Sequence, residues 1–209
     1  MNKRISEIIN KNFYEFWKTI NSNKYLFHVL KGGRASAKST HVSLWLVLAL
    51  MKYPVTCLCI RKVGNSLAES VFEQLKEAID ILGVNHVWRI QKSPLKLIYI
   101  PRGNSFIFRG ADDPTKIKSI KPPFGYIGIV WFEELDQFAG PEEIRNIEQS
   151  AIRGGDDAYI FKSFNPPKTA NNWANKYIKI PKENQYQLHT TYLDVPKKWL
   201  GKTFVEEAE

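Results

Sequence analysis

A glycine-rich stretch near the amino terminus contains the residue types that bind phosphate groups. It reads Gly32-Gly33-Arg34-Ala35-Ser36-Ala37-Lys38-Ser39-Thr40. An apolar strand is predicted before it and a long apolar helix after it, so its backbone N–H groups would face an anion at the start of that helix. We therefore predict a nucleotide site in which Lys38 reaches the β- and γ-phosphates and Ser39 ligates Mg²⁺. The alternative is a purely structural strand–turn–helix.

One position of this stretch departs from the usual phosphate-binding pattern G-x-x-x-x-G-K-[ST]. Ala37 stands where the second glycine is expected. Alanine is small, but it disfavours positive φ. We therefore predict that Ala37 has a negative φ and that Ala37→Gly keeps ATP binding.

A second segment places acids at the end of an apolar strand. It reads "GYIGIVWFEELDQF", residues 125–138, with the strand predicted over 127–132. Glu133 is the candidate metal-side acid and Glu134 the candidate general base. Adjacent residues of an extended segment point to opposite sides, so one acid could face the metal and the other the attacking water. The alternatives are an acidic loop for the pair and, for Asp136, a helix cap or hydrogen-bond partner.

A third segment, "FKSFNPP" at residues 161–167, ends another predicted strand in small polar residues. Ser163 and Asn165 could each hydrogen-bond to a γ-phosphate or to the catalytic acid. The two prolines restrict the chain as it leaves the strand. The alternative is an ordinary strand end followed by an Asn-Pro turn.

The remaining pattern predicts the scaffold of these segments. Helices are predicted over 3–20, 39–52, 67–82, 140–153 and 171–179, and strands over 25–30, 55–61, 86–90, 96–100, 105–110 and 185–192. Strands alternate with helices, and the central strands are continuously apolar. This is typical of an α/β fold with a mostly parallel central sheet flanked by helices.

The three segments, in this order and spacing, resemble the ATPase domain of the large terminase subunit of tailed bacteriophages, and most closely the PBSX type. The resemblance runs from about residue 25 to 201 and is carried by "GGRASAKS", "IRKVGNSLAESVFEQL", "GADDPTKIKSI", "WFEELDQF", "FNPP" and "HTTYLDVPKKWLG". It implies a P-loop NTPase domain of the ASCE type. It also implies an ATP hydrolase that drives double-stranded DNA into a procapsid.

The resemblance assigns roles to individual residues. Lys38 and Ser39 match the phosphate-loop lysine and hydroxyl, and Arg34 matches an arginine that acts on the γ-phosphate in cis. Glu133 and Glu134 match the metal-side acid and the catalytic glutamate. The coupling motif that links hydrolysis to movement matches Ser163, Phe164 and Asn165. The chain departs from the family at Ala37, where glycine is more common, and at Glu133, where many members have aspartate.

The resemblance also implies a domain organisation and partners. We expect an N-terminal helical segment over 1–24, the ATPase domain over 25–195, and over 196–209 the start of a linker toward a C-terminal nuclease domain absent from this chain, so nuclease activity is not expected here. The implied cofactors are ATP and Mg²⁺. The implied partners are double-stranded DNA, the portal protein, the small terminase subunit and further copies in a ring.

Charge and composition agree with a polyanionic partner. The formal net charge is +9 over 209 residues, which favours nucleic acid, an anionic membrane or a phosphorylated ligand as partner; the alternative is a soluble basic protein without such a partner. The loop 112–123 carries Lys116, Lys118 and Lys121. It could face the DNA backbone or a neighbouring subunit, or it could be an ordinary solvated loop. Cys57 and Cys59 are interpreted as core thiols. With no predicted membrane span, we expect the host cytoplasm.

Two other functions remain open from the sequence. One is a helicase-like or repair ATPase that acts on other nucleic acids. The other is a non-hydrolysing module that binds DNA or a partner because Ala37 has disabled the loop. Both acids, Glu133 and Glu134, are present, which argues against the second.

Overall fold

The computed structural model describes residues 5–113, 117, 119–122, 124–155, 157–180 and 182–208. The helices are α1 Ile5–Ile8, α2 Tyr14–Asn21, α3 Lys38–Lys52, α4 Val71–Leu82, α5 Pro141–Ala151, α6 Trp173–Tyr177, α7 Lys197–Leu200 and α8 Lys202–Ala208. The strands are β1 Phe27–Gly32, β2 Thr56–Arg61, β3 Trp88–Lys92, β4 Leu95–Tyr99, β5 Ser105–Gly110, β6 Ile127–Glu133, β7 Tyr159–Phe164 and β8 Gln185–Thr190.

The described strands form one sheet in the order β3-β4-β5-β2-β6-β7-β1-β8. The pairs from β5 to β8 are parallel, while β3, β4 and β5 pair antiparallel. The predicted mostly parallel α/β sheet is therefore confirmed. Because β7 lies between β1 and β6, the strand ends that carry the three sequence segments meet at one edge of the sheet.

Each face of the sheet is covered by its own hydrophobic cluster. On one face Trp131 and Phe161 pack with the apolar side chains of α3 and α4. On the other face Phe132 and Ile160 pack with α5 and α6. Burial on both faces explains why the central strands read as continuous apolar runs rather than as alternating ones.

The amino-terminal segment differs from the single helix predicted over 3–20. The structure has α1, then a 3₁₀ turn at Lys11–Phe13, then α2. Asn10 divides the segment because its side-chain oxygen accepts a hydrogen bond from the Asn12 N–H at 3.2 Å, a typical helix N-cap. Phe16 in α2 is fully buried against the sheet residue Phe161, so this segment packs directly on the core.

Helix α4 begins later than predicted. A 3₁₀ turn, Gly64–Leu67, precedes it, and α4 itself runs from Val71 to Leu82, with Gly83 as its C-cap. Gly83 has φ 69°, the left-handed conformation that ends helices and that glycine adopts without steric penalty. Within the described part of the chain, none of the helices is both long and apolar enough to cross a membrane.

Candidate nucleotide-phosphate site

The glycine-rich stretch forms a tight turn between β1 and α3. Ala35 and Ala37 have φ of 57° and 59°, and Ser36 between them does not have a positive φ. Such alternation of left-handed and ordinary conformations turns successive N–H groups into a concavity that binds anions. Gly32 ends β1 so close to the carbonyl oxygen of Thr190 in β8 that a side chain there would overlap it. The loop geometry is therefore that of an anion-binding turn.

The prediction that Ala37 has a negative φ is wrong. Its φ is 59° and its ψ 9°, and it precedes the first residue of α3. The Cβ atom makes this conformation unfavourable by about 1–2 kcal/mol in an L-residue other than glycine. The alanine therefore does not change the turn. It adopts the conformation that glycine would adopt, at an energetic cost.

Lys38 is the first residue of the 15-residue helix α3 and is only 9% exposed. Its Nζ donates hydrogen bonds to Asn165 Oδ1 at 2.6 Å and to the Gly33 carbonyl at 3.3 Å. Burial lowers the pKa of Lys38, while the charges of Glu133 and Asp136 raise it. The Lys38 ammonium group is therefore partly desolvated and lies at the amino terminus of α3, between the loop and the end of β7.

Both acids of the second segment contact Arg61, a basic residue that the sequence patterns did not indicate as part of the site. Arg61, the last residue of β2, is 8% exposed, and its Nε lies 2.9 Å from Glu133 Oε2. Its Nη2 also contacts Glu134 Oε2. In addition to these two ion pairs, Arg61 Nη1 donates a hydrogen bond to Ser70 Oγ at 3.0 Å. Burial raises the pKa of Glu133, and Arg61 and Lys38 lower it.

The expectation that Glu133 and Glu134 point to opposite sides is also wrong. It assumed an extended segment, whereas Glu134 has φ 56° and ψ 55° and begins a 3₁₀ turn, Leu135–Gln137. The left-handed conformation lets both carboxylates reach the same guanidinium group of Arg61. It is costly for a residue with a side chain, and such strain is typical of functional sites.

The third segment, at the end of β7, contacts both the loop and the strand that carries the acids. Ser163 is paired with Glu133 across the sheet and is buried, and its Oγ accepts a hydrogen bond from Trp131 Nε1 at 2.9 Å. Asn165, two residues on, accepts from Lys38. Of these two polar side chains, the structure therefore brings Asn165 to the phosphate-loop lysine and places Ser163 against the strand that carries the acids.

One cavity of about 210 Å³ brings most of the predicted residues together. It is lined by Arg34, Ala35, Lys38, Ser39, Glu133, Glu134, Ser163, Phe164 and Asn165. The other predicted nucleotide-binding residues, which do not line it, are Gly32, Gly33, Ser36, Ala37 and Thr40. Ser36 is 1% exposed, and Thr40 Oγ1 accepts a hydrogen bond from Gln74. These residues therefore shape the turn rather than supply side chains to the cavity.

The cavity carries the positive charges and oxygen donors that a nucleoside triphosphate with Mg²⁺ requires. Lys38 and the exposed Arg34 offer positive charge, and the start of α3 adds the positive end of a helix dipole. Ser39 and Glu133, which also line the cavity, are hard oxygen donors. In the described part of the chain, no group of three or more His, Cys, Asp or Glu residues could hold a metal ion by itself.

The candidate DNA-contacting loop is only partly described. Lys121 is exposed to solvent. Lys116 and Lys118 lie outside the described residues. The cysteines Cys57 and Cys59 are buried free thiols in β2, as interpreted from the sequence.

Fold and site together define a P-loop NTPase domain: a parallel sheet with a phosphate-type loop after β1 and acids after β6. The family model described as phage terminase large subunit matches residues 24–209. The chain therefore belongs to the phage terminase large subunit family.

Two curated relatives agree with this assignment, and one solved structure shares the fold. The large terminase subunit of Bacillus phage SPP1 is 49% identical over 99% of this chain and 50% of its own length. The PBSX phage terminase large subunit of Bacillus subtilis (strain 168) is 35% identical over 53% of the chain and 24% of its own length. The chain thus spans at most half the length of these curated relatives.

The solved structure is the large terminase of a thermophilic bacteriophage. It matches with a TM-score of 0.72 at 18% identity, covering 95% of this chain and 48% of that one. The complex of the same terminase with ADP matches with a TM-score of 0.71. At this identity the likeness concerns the fold.

Proposed function

We propose that this chain is the ATPase domain of a phage DNA-packaging motor, which hydrolyses ATP to translocate double-stranded DNA into a procapsid. The observation that supports this most is the convergence of Lys38, Asn165 and the Arg61-bound acid pair on one cavity beside a phosphate-type loop. The large terminase of the thermophilic bacteriophage, which shares the fold, has been solved with ADP.

Each residue has a role that follows from its position. Lys38 and the loop N–H groups bind the β- and γ-phosphates, and Arg34 approaches the γ-phosphate from the exposed side of the cavity. Ser39 and Glu133 would hold Mg²⁺, which supplies positive charge against the phosphate oxygens. Glu134 accepts the proton of the attacking water.

Arg61 is a positioning residue in this scheme. Its contacts fix the two carboxylates relative to each other before nucleotide arrives. Because a buried guanidinium favours the ionised form of its partners, it also opposes the rise that burial causes in the pKa of Glu133. Arg61 thereby favours the ionised form of Glu133 against the effect of burial, which suits a metal-side acid.

Family membership supports the proposed partners and location. We include double-stranded DNA, the portal protein, the small terminase subunit and further copies of the chain in a ring, all in the host cytoplasm. Lys121, Lys116 and Lys118 remain the proposed DNA-contacting residues. Membership of the terminase family favours packaging over the helicase-like alternative.

ATP turnover in the presence of linear double-stranded DNA tests the proposal. Glu134→Gln keeps the size of the side chain but removes the base, so turnover is expected to fall ~100-fold or more. Asp136→Asn, a change to a partly buried acid in the same turn, is the matched control and is expected to keep most activity. Equal turnover by wild type and Glu134→Gln would instead support the non-hydrolysing alternative.

A further inference from the structure

A charged side chain lies in the hydrophobic interior immediately before the third segment of the site. The Lys162 side chain is 0% exposed. It projects to the same face of β7 as Ile160 and Phe164, which belong to one hydrophobic cluster. Burial of an ammonium group is unfavourable by several kcal/mol before compensation, and an apolar residue would fill this position at lower cost. Packing alone therefore does not explain why this buried position is a lysine.

The charge of Lys162 is compensated by groups from two helices on that face of the sheet. Its Nζ lies 2.6 Å from Glu148 Oε1 of α5 and donates to Tyr177 Oη of α6 at 2.7 Å. It also lies over the rings of Phe27 and Tyr177, at 4.6 and 4.9 Å from their centroids. Burial lowers the pKa of Lys162 and Glu148 raises it. The ion pair therefore ties β7 to α5.

A second ion pair ties the other end of α5 to a different strand. Glu143, in the first turn of α5, has its Oε1 2.6 Å from Nζ of Lys62. Lys62 directly follows Arg61, the residue that holds the two acids. Strands β2 and β7 are the two neighbours of β6 in the sheet. Two ion pairs thus hold helix α5 to the strands on both sides of β6. In each pair the lysine is adjacent in sequence to a residue of the candidate site.

The outer side of α5 is accessible to other molecules. Glu142, Arg145, Asn146 and Gln149 are exposed or partly exposed. A change in the position of this helix would therefore alter a surface that DNA or a neighbouring subunit can contact, whereas a change confined to the cavity would not.

We propose that Lys162 and Glu148 form a positioning pair that couples the carboxyl end of β7, and with it Asn165, to helix α5. This coupling rests on the proposed nucleotide function. In the structure Asn165 accepts a hydrogen bond from Lys38. When Lys38 turns to a bound phosphate, Asn165 loses that donor, and the ion pair passes the resulting adjustment of β7 to α5.

The variant that isolates this role replaces both partners, Lys162→Met with Glu148→Gln. Removal of one member alone would leave an uncompensated buried charge, whereas removal of both is often neutral for stability. Tyr177 keeps a donor, because Lys182 Nζ lies 3.2 Å from its Oη. The matched control is Lys76→Met with Glu73→Gln, which removes an exposed ion pair on α4.

Amide hydrogen exchange of the full chain, with and without Mg–ATPγS, provides the test. In wild type and in the control variant, nucleotide is expected to slow exchange both in the loop 33–40 and in α5, the latter by roughly fivefold or more. In the double variant only the loop should respond. If the double variant fails to fold, Glu148→Asp alone takes its place, because it keeps the charge that compensates Lys162 but shortens the side chain by one methylene, and it should weaken the response of α5.

Two results would overturn the coupling while leaving nucleotide binding intact: no response of α5 in wild type although the loop responds, or an undiminished response of α5 in the double variant. A third result, no response of the loop in wild type, would refute the proposed nucleotide site and the coupling with it. A purely structural ion pair would not alter the nucleotide-dependent exchange of α5.

Discussion

Replacement of Ala37 by glycine should stabilise this protein, although glycine usually destabilises. Ala37 has φ 59°, so glycine removes an unfavourable left-handed conformation of about 1–2 kcal/mol. Glycine also gives the unfolded chain more freedom, which opposes the gain by about 0.4–1 kcal/mol. The net effect is a gain of roughly 0.5–1 kcal/mol, or about 1–4 °C in Tm for a chain of this size.

Urea and thermal unfolding of Ala37→Gly measure this gain. The matched control is Ala68→Gly, because Ala68 is exposed and has φ −66°. The unfolded-state contribution is common to both variants, so their changes in the free energy of unfolding should differ mainly by the conformational cost, ~1–2 kcal/mol, less the small contribution of the partly buried Ala37 methyl group. If both substitutions destabilise equally, Ala37 is not left-handed in solution and the loop geometry is wrong. Binding of a fluorescent ADP analogue should persist in Ala37→Gly.

Three further predictions concern polar groups of the core and of the site. Burial lowers the pKa of His28 to about 4 and of His41 to about 3, and the unfolded chain binds protons below about pH 6.5. The free energy of unfolding should therefore fall by about 2 kcal/mol per histidine from pH 7 to pH 5, and urea melts of His28→Phe should show a weaker dependence. Asn165→Ala and Lys38→Met should couple by about 1–2 kcal/mol in a double-mutant cycle of unfolding free energies. Additive effects of the two substitutions would contradict a hydrogen bond between these side chains. Arg61→Met should destabilise the protein by about 3 kcal/mol at pH 7, because two carboxylates lose their cation. This loss, measured against wild type at each pH, should shrink at pH 5, because burial raises the pKa of Glu133 and removal of Arg61 raises it further, so that this carboxylate can protonate there. An equal loss at both values would contradict it.

The sequence predicts the positions of the polar groups along the chain better than their orientations. Lys38, Glu133 and Asn165 follow apolar runs, and the ends of parallel strands meet at one edge, so their convergence was predictable. The orientation of Glu134 was not, because a single left-handed residue reverses the side to which its carboxylate points.

Arg61 and Lys162 were missed for a related reason. Each stands at or near the end of an apolar strand, where a basic residue reads as the start of a solvated loop. Their roles depend on partners from distant segments, Glu134 for one and Glu148 for the other. The strand order that brings these partners together is a property of the fold, although a basic residue ending the strand next to the acid-bearing one was a usable signal.

The divisions at 1–24, 25–195 and 196–209 stay predictions, although the packing of the two ends is described. Asn10 and Asn12 each donate a hydrogen bond to the carbonyl of Asp194, at 2.6 and 2.7 Å. These bonds join the amino-terminal segment to the stretch that precedes α7.

Equilibrium binding of Mg–ATPγS to the wild-type chain and to Lys38→Met tests most directly whether the alanine-containing loop is a working nucleotide site. A hydrogen-bonded charge such as the Lys38 ammonium contributes about 1.5–3 kcal/mol, so the variant should bind roughly 10- to 150-fold more weakly. Saturable binding by wild type with this loss in Lys38→Met is the predicted result. Equal affinities, or no binding by wild type at millimolar nucleotide, would contradict it.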